Sequence, residues 1–523
     1  MNAIEVHATS AMVIGPGQAV AAGIETLQSG GNAVDAAVAT ALAAGVVAPA
    51  QCGVAGFGGA LITYLAAQKR VACLEFGAMS PAGVTPGWLL AAGEDAFPMG
   101  ARAVMVPGTA AGLTRAVAAY GSRPLAQLVA PAVRLAREGF PASPGYVADL
   151  LAHRERIERF PHTAEWLLPD GQAPRLGSLI TNEALARLLE RLAAEGLDSL
   201  YRGEAAADLV AHVQASGGVL TLDDLADYTP RETEPLSLSF GAYTIHTSPL
   251  PTGGAVLAQA IKTLDGLDLA RLWSEKLPYY HAVALALQST WADQLTRLGD
   301  PTETAIALDR ILSDEHTTRM RHRIEHLVHT ASVLHGPEVI GLPGGTVHIA
   351  VADPEGNLAA LTLTHGNPFG SGLSVPGGGT LVAGGMGYFE RAPGRPNSVG
   401  PRTRPLYPAC PTLVMKEECP LLLLGGIGGR KAASAVVQAL LHYCALRHPV
   451  DDSLCLPRLH TDGSLTLCVD PGLPRPASDY LRAVGYLLES GEAGALFALM
   501  RDPDSGLFTG VVDPRATGLA VGI

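Results

Sequence analysis

Between Gly344 and Phe369 the chain reads G-G-T-V-H-I-A-V-A-D-P-E-G-N-L-A-A-L-T-L-T-H-G-N-P-F, a run that admits few alternatives to a β-hairpin. Residues 346–352 and 358–364 are mostly apolar or β-branched. Between them, Asp353-Pro354-Glu355-Gly356-Asn357 is turn chemistry: proline presets one φ, glycine and asparagine tolerate a positive one, and aspartate binds nearby backbone. The two arms must pair. A register symmetric about Glu355 sets Thr346 opposite Thr364, with their Cβ atoms about 5 Å apart. The diglycine Gly344-Gly345 immediately precedes the first of these threonines, which suggests a threonine whose backbone is to be accessible and which is held against a second hydroxyl. Facing threonines also occur for β-propensity alone, so this segment by itself leaves an ordinary hairpin open.

The 523 residues, 48% hydrophobic and 16% charged, can bury a large core and exceed what one simple domain usually holds. A formal charge of −13 repels phosphate backbones and anionic lipid, and no basic run offsets it, so neither nucleic acid nor a membrane surface is an expected partner. The opening M-N-A-I-E-V-H-A-T-S lacks a basic segment followed by an apolar one, which argues against a standard signal peptide and for a cytoplasmic protein. Residues 33–50 come nearest to a membrane span, but they are alanine-rich and carry Asp35, which reads as a buried helix. Seven cysteines without C-x-x-C spacing fit reduced thiols rather than zinc. His322, His326 and His329 recur on one helical face. With Arg321, Arg323 and Glu325 among them, they read as a solvated face, and no metal is expected.

From about residue 15 to 330 apolar residues recur mainly at helical spacing, as in Gly17–Gln28, Ala33–Val46, Ala110–Tyr120, Leu125–Arg137, Glu183–Glu195 and Tyr279–Arg297. From 344 onward short β-patterned runs dominate (346–352, 358–364, 411–416, 420–425, 464–469), with one clear helix at Arg430–Leu446. The segment Ser313–Gly341 reads as a polar connection into the hairpin. The fold class expected is α+β, with strands gathered late beside earlier helices.

Several collinear segments sharpen this. G-G-N-A-V-D-A-A-V-A-T-A-L at Gly30, G-V-A-G-F-G-G at Gly53, V-P-G-T-A-A-G-L at Val106, L-A-R-E-G-F at Leu135 and P-L-P-T-G-G at Pro249 are followed by L-G-D-P at Leu298, F-G-S-G at Phe369, C-P-T-L-V at Cys410, G-G-I-G-G at Gly425 and P-R-L-H at Pro457. In this order they resemble the γ-glutamyltransferase (glutathione hydrolase) family of N-terminal nucleophile hydrolases over essentially the whole chain. The resemblance implies an αββα sandwich with a mainly helical large segment, made as a precursor that cuts itself between Gly345 and Thr346. Segments 1–345 and 346–523 would then stay associated, as a pair or a heterotetramer. It also implies that Thr346 is the nucleophile and that Thr364 assists it and the precursor cleavage. Gly428 and Gly429 would receive the tetrahedral oxyanion on their backbone N–H groups. A freed α-amine, with a reference pKa near 8, would serve Thr346 as its own base, so no metal or organic cofactor is implied.

The pocket residues depart from that family. The arginine expected to clamp an α-carboxylate falls on Pro86, the asparagine two residues after Thr364 falls on Gly366 with Asn367 one step late, and an amide becomes Gly385. The aspartate for an α-ammonium becomes Tyr388, and a serine pair becomes Tyr407 and Pro408. At about 1.5–3 kcal/mol per charged hydrogen bond, a glutamyl zwitterion would find little to hold it. Gly366, Asn367, Tyr388, Tyr407 and Arg430 are the candidate substrate contacts, with Phe369 adding to an aromatic pocket and Arg402, Arg404 and Lys431 as further cations. The expectation is a self-processing amidohydrolase or acyltransferase acting on a small-molecule amide whose acyl group is not γ-glutamyl. The alternatives are a true γ-glutamyl hydrolase or transpeptidase, and a non-catalytic binding protein derived from the family.

Overall fold

The computed structural model describes residues 3–90, 99–302, 308–336, 344–375 and 377–523. The hairpin forms in the expected register: Thr346–Ala352 pairs antiparallel with Leu358–Thr364, Thr346 opposite Thr364 and Ala352 opposite Leu358. It lies in the middle of a seven-stranded sheet in the order Leu519–Gly522, Met12–Gly15, Thr346–Ala352, Leu358–Thr364, Gly58–Leu65, Arg70–Glu75 and Arg231–Thr233. A second seven-stranded sheet runs Ile4–Ala8, Phe508–Val512, Ala495–Arg501, Cys419–Ile427, Thr412–Lys416, Tyr243–Thr247 and Leu236–Phe240. Every ladder within these two sheets is antiparallel.

Side-chain alternation turns the sheets into a four-layer sandwich. Val347, Ile349, Val351, Leu361 and Leu363 pack against the helix Ala33–Val47. The opposite face presents Ala350, Ala352, Leu358 and Ala360 to Leu413, Leu423, Phe497 and Leu499 of the second sheet. That sheet's outer face places Leu422, Leu424, Leu496 and Ala498 against the helices Gly254–Leu264, Leu277–Arg297 and Lys431–Leu440. A hairpin covered on both faces needs apolar residues at every position rather than at alternate ones, which is why its arms are almost continuously hydrophobic.

The Ala33–Val47 helix is buried nearly all round, as its alanine-rich sequence suggested. Its polar residue has a defined task. Asn32 and Asp35 form a reciprocal capping box, and Asp35 also accepts hydrogen bonds from the Ser122 N–H and hydroxyl and from the Arg123 N–H. No described helix is long and apolar enough to cross a membrane.

The first segment is mainly helical, as expected, and it also supplies strands that apolar periodicity did not mark. Residues 4–8, 12–15, 58–65, 70–75, 231–233, 236–240 and 243–247 are strands, and they enter both sheets. Gly58–Leu65 is buried throughout, and short apolar runs of that kind carry no periodicity that separates strand from helix. Position 345 therefore does not divide two structural domains: residues on either side of it interleave in each sheet. Within the supposed polar connection, Asp314–His329 is a helix on which His322, His326 and His329 are exposed, while residues 337–341 lie outside those described.

Asp35→Ala removes one half of the capping box and three tertiary acceptor contacts at once. It is expected to cost about 2–4 kcal/mol, seen as a lower urea midpoint, whereas Asp35→Asn keeps part of the network and loses less.

Candidate active site

Thr346 is the first residue of its strand and is 7% exposed. In the intact chain its N–H donates to Oε1 of Gln51 at 2.9 Å, and Nε2 of Gln51 donates to Oδ2 of Asp149 at 3.0 Å. A carboxylate can only accept, so Asp149 fixes which end of the amide faces Thr346. Gln51 follows the buried Ala33–Val47 helix, and Asp149 lies on the helix Pro144–Ala152. Burial raises the Asp149 carboxyl above its usual range, and the hydrogen bond from Gln51 opposes that.

The carbonyl of Gly345, one bond before Thr346, accepts from the Thr364 hydroxyl and, at 3.3 Å, from the His365 N–H, which it shares with the Gln51 carbonyl at 3.0 Å. The Gly366 N–H donates to the Thr364 oxygen at 2.9 Å, which leaves that hydroxyl proton to point at Gly345. Thr364 thus addresses the carbonyl preceding Thr346. Gly428 and Gly429 form the turn between the strand Cys419–Ile427 and the helix Lys431–Leu440, with φ of 109° and 65°, conformations that only glycine adopts freely. The backbone of Gly344 lies directly on this pair, so close that a Cβ on Gly344 would run into Gly429.

Two cavities meet at Thr346 and share Gln51, Thr346 and Ile427 in their walls. The larger, about 810 Å³, is polar and is bordered by Gly428, Arg430, Lys431, Asp462, Glu489 and Arg515 among others. The smaller, about 410 Å³, is mostly apolar.

Residues 19–523 match the family model described as gamma-glutamyltranspeptidase. The chain belongs to that family. It is 29% identical to the glutathione hydrolase proenzyme of Bacillus subtilis (strain 168) over 96% of this chain and 89% of that one. It is 30% identical to the acylase ACY 1 proenzyme of Pseudomonas sp. (strain SE83), covering 97% of this chain and 92% of the relative. The crystal structure of cephalosporin acylase from Bacillus halodurans superposes with a TM-score of 0.91 at 26% identity, covering 99% and 97% of the two chains. The sandwich is thus that of the N-terminal nucleophile hydrolases, and the protein is an enzyme of the hydrolase and acyltransferase type.

Within this gamma-glutamyltranspeptidase-family fold, the candidate contacts fall into two groups. Phe369 lines the smaller cavity, and Arg430 and Lys431 line the larger. Tyr388 and Tyr407 are turned inward instead, packed edge-on against Phe57 at 5.7 and 5.1 Å between ring centres. The Tyr388 hydroxyl donates to the Gly366 carbonyl at 2.5 Å, while that of Tyr407 binds the Gly59 carbonyl at 2.8 Å and Glu75 at 3.0 Å. Burial pushes the Tyr388 phenol up to about 12 and raises that of Tyr407 well above its ordinary value, so both act as fixed donors to the protein. Gly366 has φ of 88° and a neighbouring carbonyl 2.6 Å from where a Cβ would stand, so no amide side chain fits there. Asn367 is buried. Arg404 pairs with Glu75, Arg402 pairs with Asp227, and Pro86 opens a short helix. Sequence reasoning missed Gln51, Asp149 and the His365 N–H. A polar amide placed just before the Gly53 motif was a usable signal for the first, and nothing in the sequence marked Asp149.

His348 and His365 flank the threonine pair in the sequence and are fully buried. Burial lowers His348 to about 3 and His365 to about 4 from an ordinary 6.5. The folded state thus takes up these protons later than the unfolded chain does. Their contribution is complete above pH 6.5 and is lost as pH falls toward 4, at up to about 1.4 kcal/mol per pH unit for each histidine. Urea midpoints measured from pH 7 to 4.5 are expected to fall on acidification, and His348→Gln should make that dependence shallower by about one proton.

Proposed function

We propose that this protein is a self-processing amide hydrolase or acyltransferase whose nucleophile is Thr346, freed as an N-terminus by cleavage after Gly345. The observation that carries this is the environment of the Gly345–Thr346 peptide. Its carbonyl oxygen already holds two donors, the Thr364 hydroxyl and the His365 N–H, while its nitrogen is held by Gln51. Thr346 Oγ1 adds to the Gly345 carbonyl carbon, and the oxyanion is received by those same donors. The C–N bond then breaks, its nitrogen takes the hydroxyl proton, and the resulting ester is hydrolysed by water. The products are a Gly345 carboxylate and a Thr346 carrying both hydroxyl and amine.

The processed site runs the same chemistry on an external amide. The amine takes the proton from Oγ1 as it attacks, the Gly428 and Gly429 N–H groups receive the oxyanion, and the proton passes to the departing amine. Water or a second amine releases the acyl group. Gln51, held by Asp149, would orient the new amine toward Oγ1. The glutathione hydrolase and acylase names of the relatives support amide-bond chemistry. The inward-facing Tyr388 and Tyr407, and Pro86 where a clamp arginine is expected, support an acyl group other than γ-glutamyl. The alternative of γ-glutamyl transfer would be upheld by efficient turnover of a γ-glutamyl anilide.

Thr346→Ala is expected to yield one uncut polypeptide without amidase activity, whereas the native protein yields a fragment beginning Thr346-Val347-His348 by N-terminal sequencing. Two fragments from the variant would disprove the cleavage site. Thr364→Val retains the β-branched shape but loses the donor to Gly345. Its maturation, followed by intact mass over time, should slow on the order of 10²-fold with the thermal midpoint little changed.

A further inference from the structure

Resting on the acyl-transfer reading above, we propose that the smaller cavity at Thr346 is the acyl subsite and that it takes an uncharged, apolar chain of the medium-alkyl or arylalkyl class. Its volume of about 410 Å³ lies within the roughly 300–1,000 Å³ of small-molecule pockets. The wall is made by Val47, Tyr146, Leu150, Val347, Phe369 and Phe497, among others, and no lysine or arginine is among its described lining residues. Its ionisable members do not supply a cation for an acidic acyl group. His348 is neutral near pH 7, its Nδ1 bonded to Thr362 at 2.8 Å, and Asp149 is itself an acid engaged by Gln51. A glutaryl or glutamyl carboxylate placed here would lose water without gaining a counter-charge.

A second observation points to the same place. Phe369 is held at φ of 63°, a left-handed conformation unfavourable for a bulky residue, with its N–H bonded to the Ala50 carbonyl at 2.9 Å. Such backbone persists only where surroundings over-determine it, and it clusters at ligand sites. Here it fixes an aromatic ring in the cavity wall beside the nucleophile.

The direction of the substrate follows from what each half becomes. The acyl half stays on Thr346 as an ester and suits a dry, apolar wall. The amine half leaves as a cation and needs water and carboxylates. The larger cavity offers Asp462, Glu489 and Glu492 alongside Arg430, Lys431 and Arg515, so it suits a polar or zwitterionic leaving group.

The test uses the processed protein with p-nitroanilides of acetate, butyrate, octanoate, phenylacetate, glutarate and γ-glutamate. The expected result is a kcat/KM that rises about three- to fivefold per methylene from acetyl upward, with octanoyl or phenylacetyl at least 100-fold above glutaryl. Preference for glutaryl or γ-glutamyl over butyryl would overturn the apolar subsite while leaving the acyl-transfer reading intact. Failure to cleave any of the six by a protein with a free Thr346 N-terminus would overturn that reading and the subsite with it. Gly145→Phe is the companion variant. A Cβ at this cavity-lining position meets nothing closer than Thr517 at 3.6 Å, so the backbone accepts it and the ring narrows the cavity. Its optimum is expected to move to shorter acyl chains, by at least tenfold in the octanoyl-to-acetyl ratio, and an unchanged ratio would overturn the proposal.

Discussion

One antiparallel ladder, Thr346–Ala352 against Leu358–Thr364, sets the geometry on which the site depends. Its register puts the two threonines opposite each other, and the chain entering it brings the Gly345 carbonyl to the Thr364 hydroxyl. A slip of one residue would turn every side chain to the other face, moving Val347, Ile349 and Val351 from the Ala33–Val47 helix into the space between the sheets. The burial of both faces of the hairpin therefore protects the alignment of a few polar atoms at its open end.

Around that end the polar groups are few and each is oriented by another. Gly366 fixes the Thr364 hydroxyl, and Asp149 fixes the Gln51 amide. The hydrogen bond from Tyr388 to the Gly366 carbonyl ties the next turn into the same network. Because most of these groups are buried, each orientation is worth more than it would be in water. Tyr388 and Tyr407 pack around Phe57 in the core, whereas the Thr364 hydroxyl and the His365 N–H address the carbonyl next to Thr346.

How much of this could be read from the sequence varied with the physical cause. The hairpin, its register and the amphipathic or buried helices were legible because turn chemistry and apolar spacing are local signals. The helix Glu183–Glu195 and both hairpin arms keep their expected limits. The strands Gly58–Leu65 and Arg70–Glu75 were not legible, because pairing with the hairpin and its neighbours is decided by residues far along the chain. Thr346, Thr364 and the Gly428–Gly429 turn could be named from motifs; in the fold Thr346 lies opposite Thr364 and shares a cavity wall with Gly428. Tyr388 and Tyr407 were read as pocket aromatics but belong to the core, since a sequence does not show which way a phenol faces. Asp149 was invisible because its meaning comes only from contact with Gln51.

Under the cleavage proposed above, the interleaving of residues before and after position 345 has a consequence for the life history of the molecule. Neither segment alone contains a complete sheet, and each would expose open strand edges along the seam where the other belongs. For the proposed cut, assembly would therefore have to precede scission, with the uncut chain folding as one molecule. After the cut, the same architecture can be regained only by an encounter between two separate pieces, at a rate set by their concentration and in competition with aggregation through those edges. Maturation of the proposed kind would thus act as a ratchet on folding, and the lifetime of the cut molecule would be governed by how slowly it opens, not by how readily it could form again.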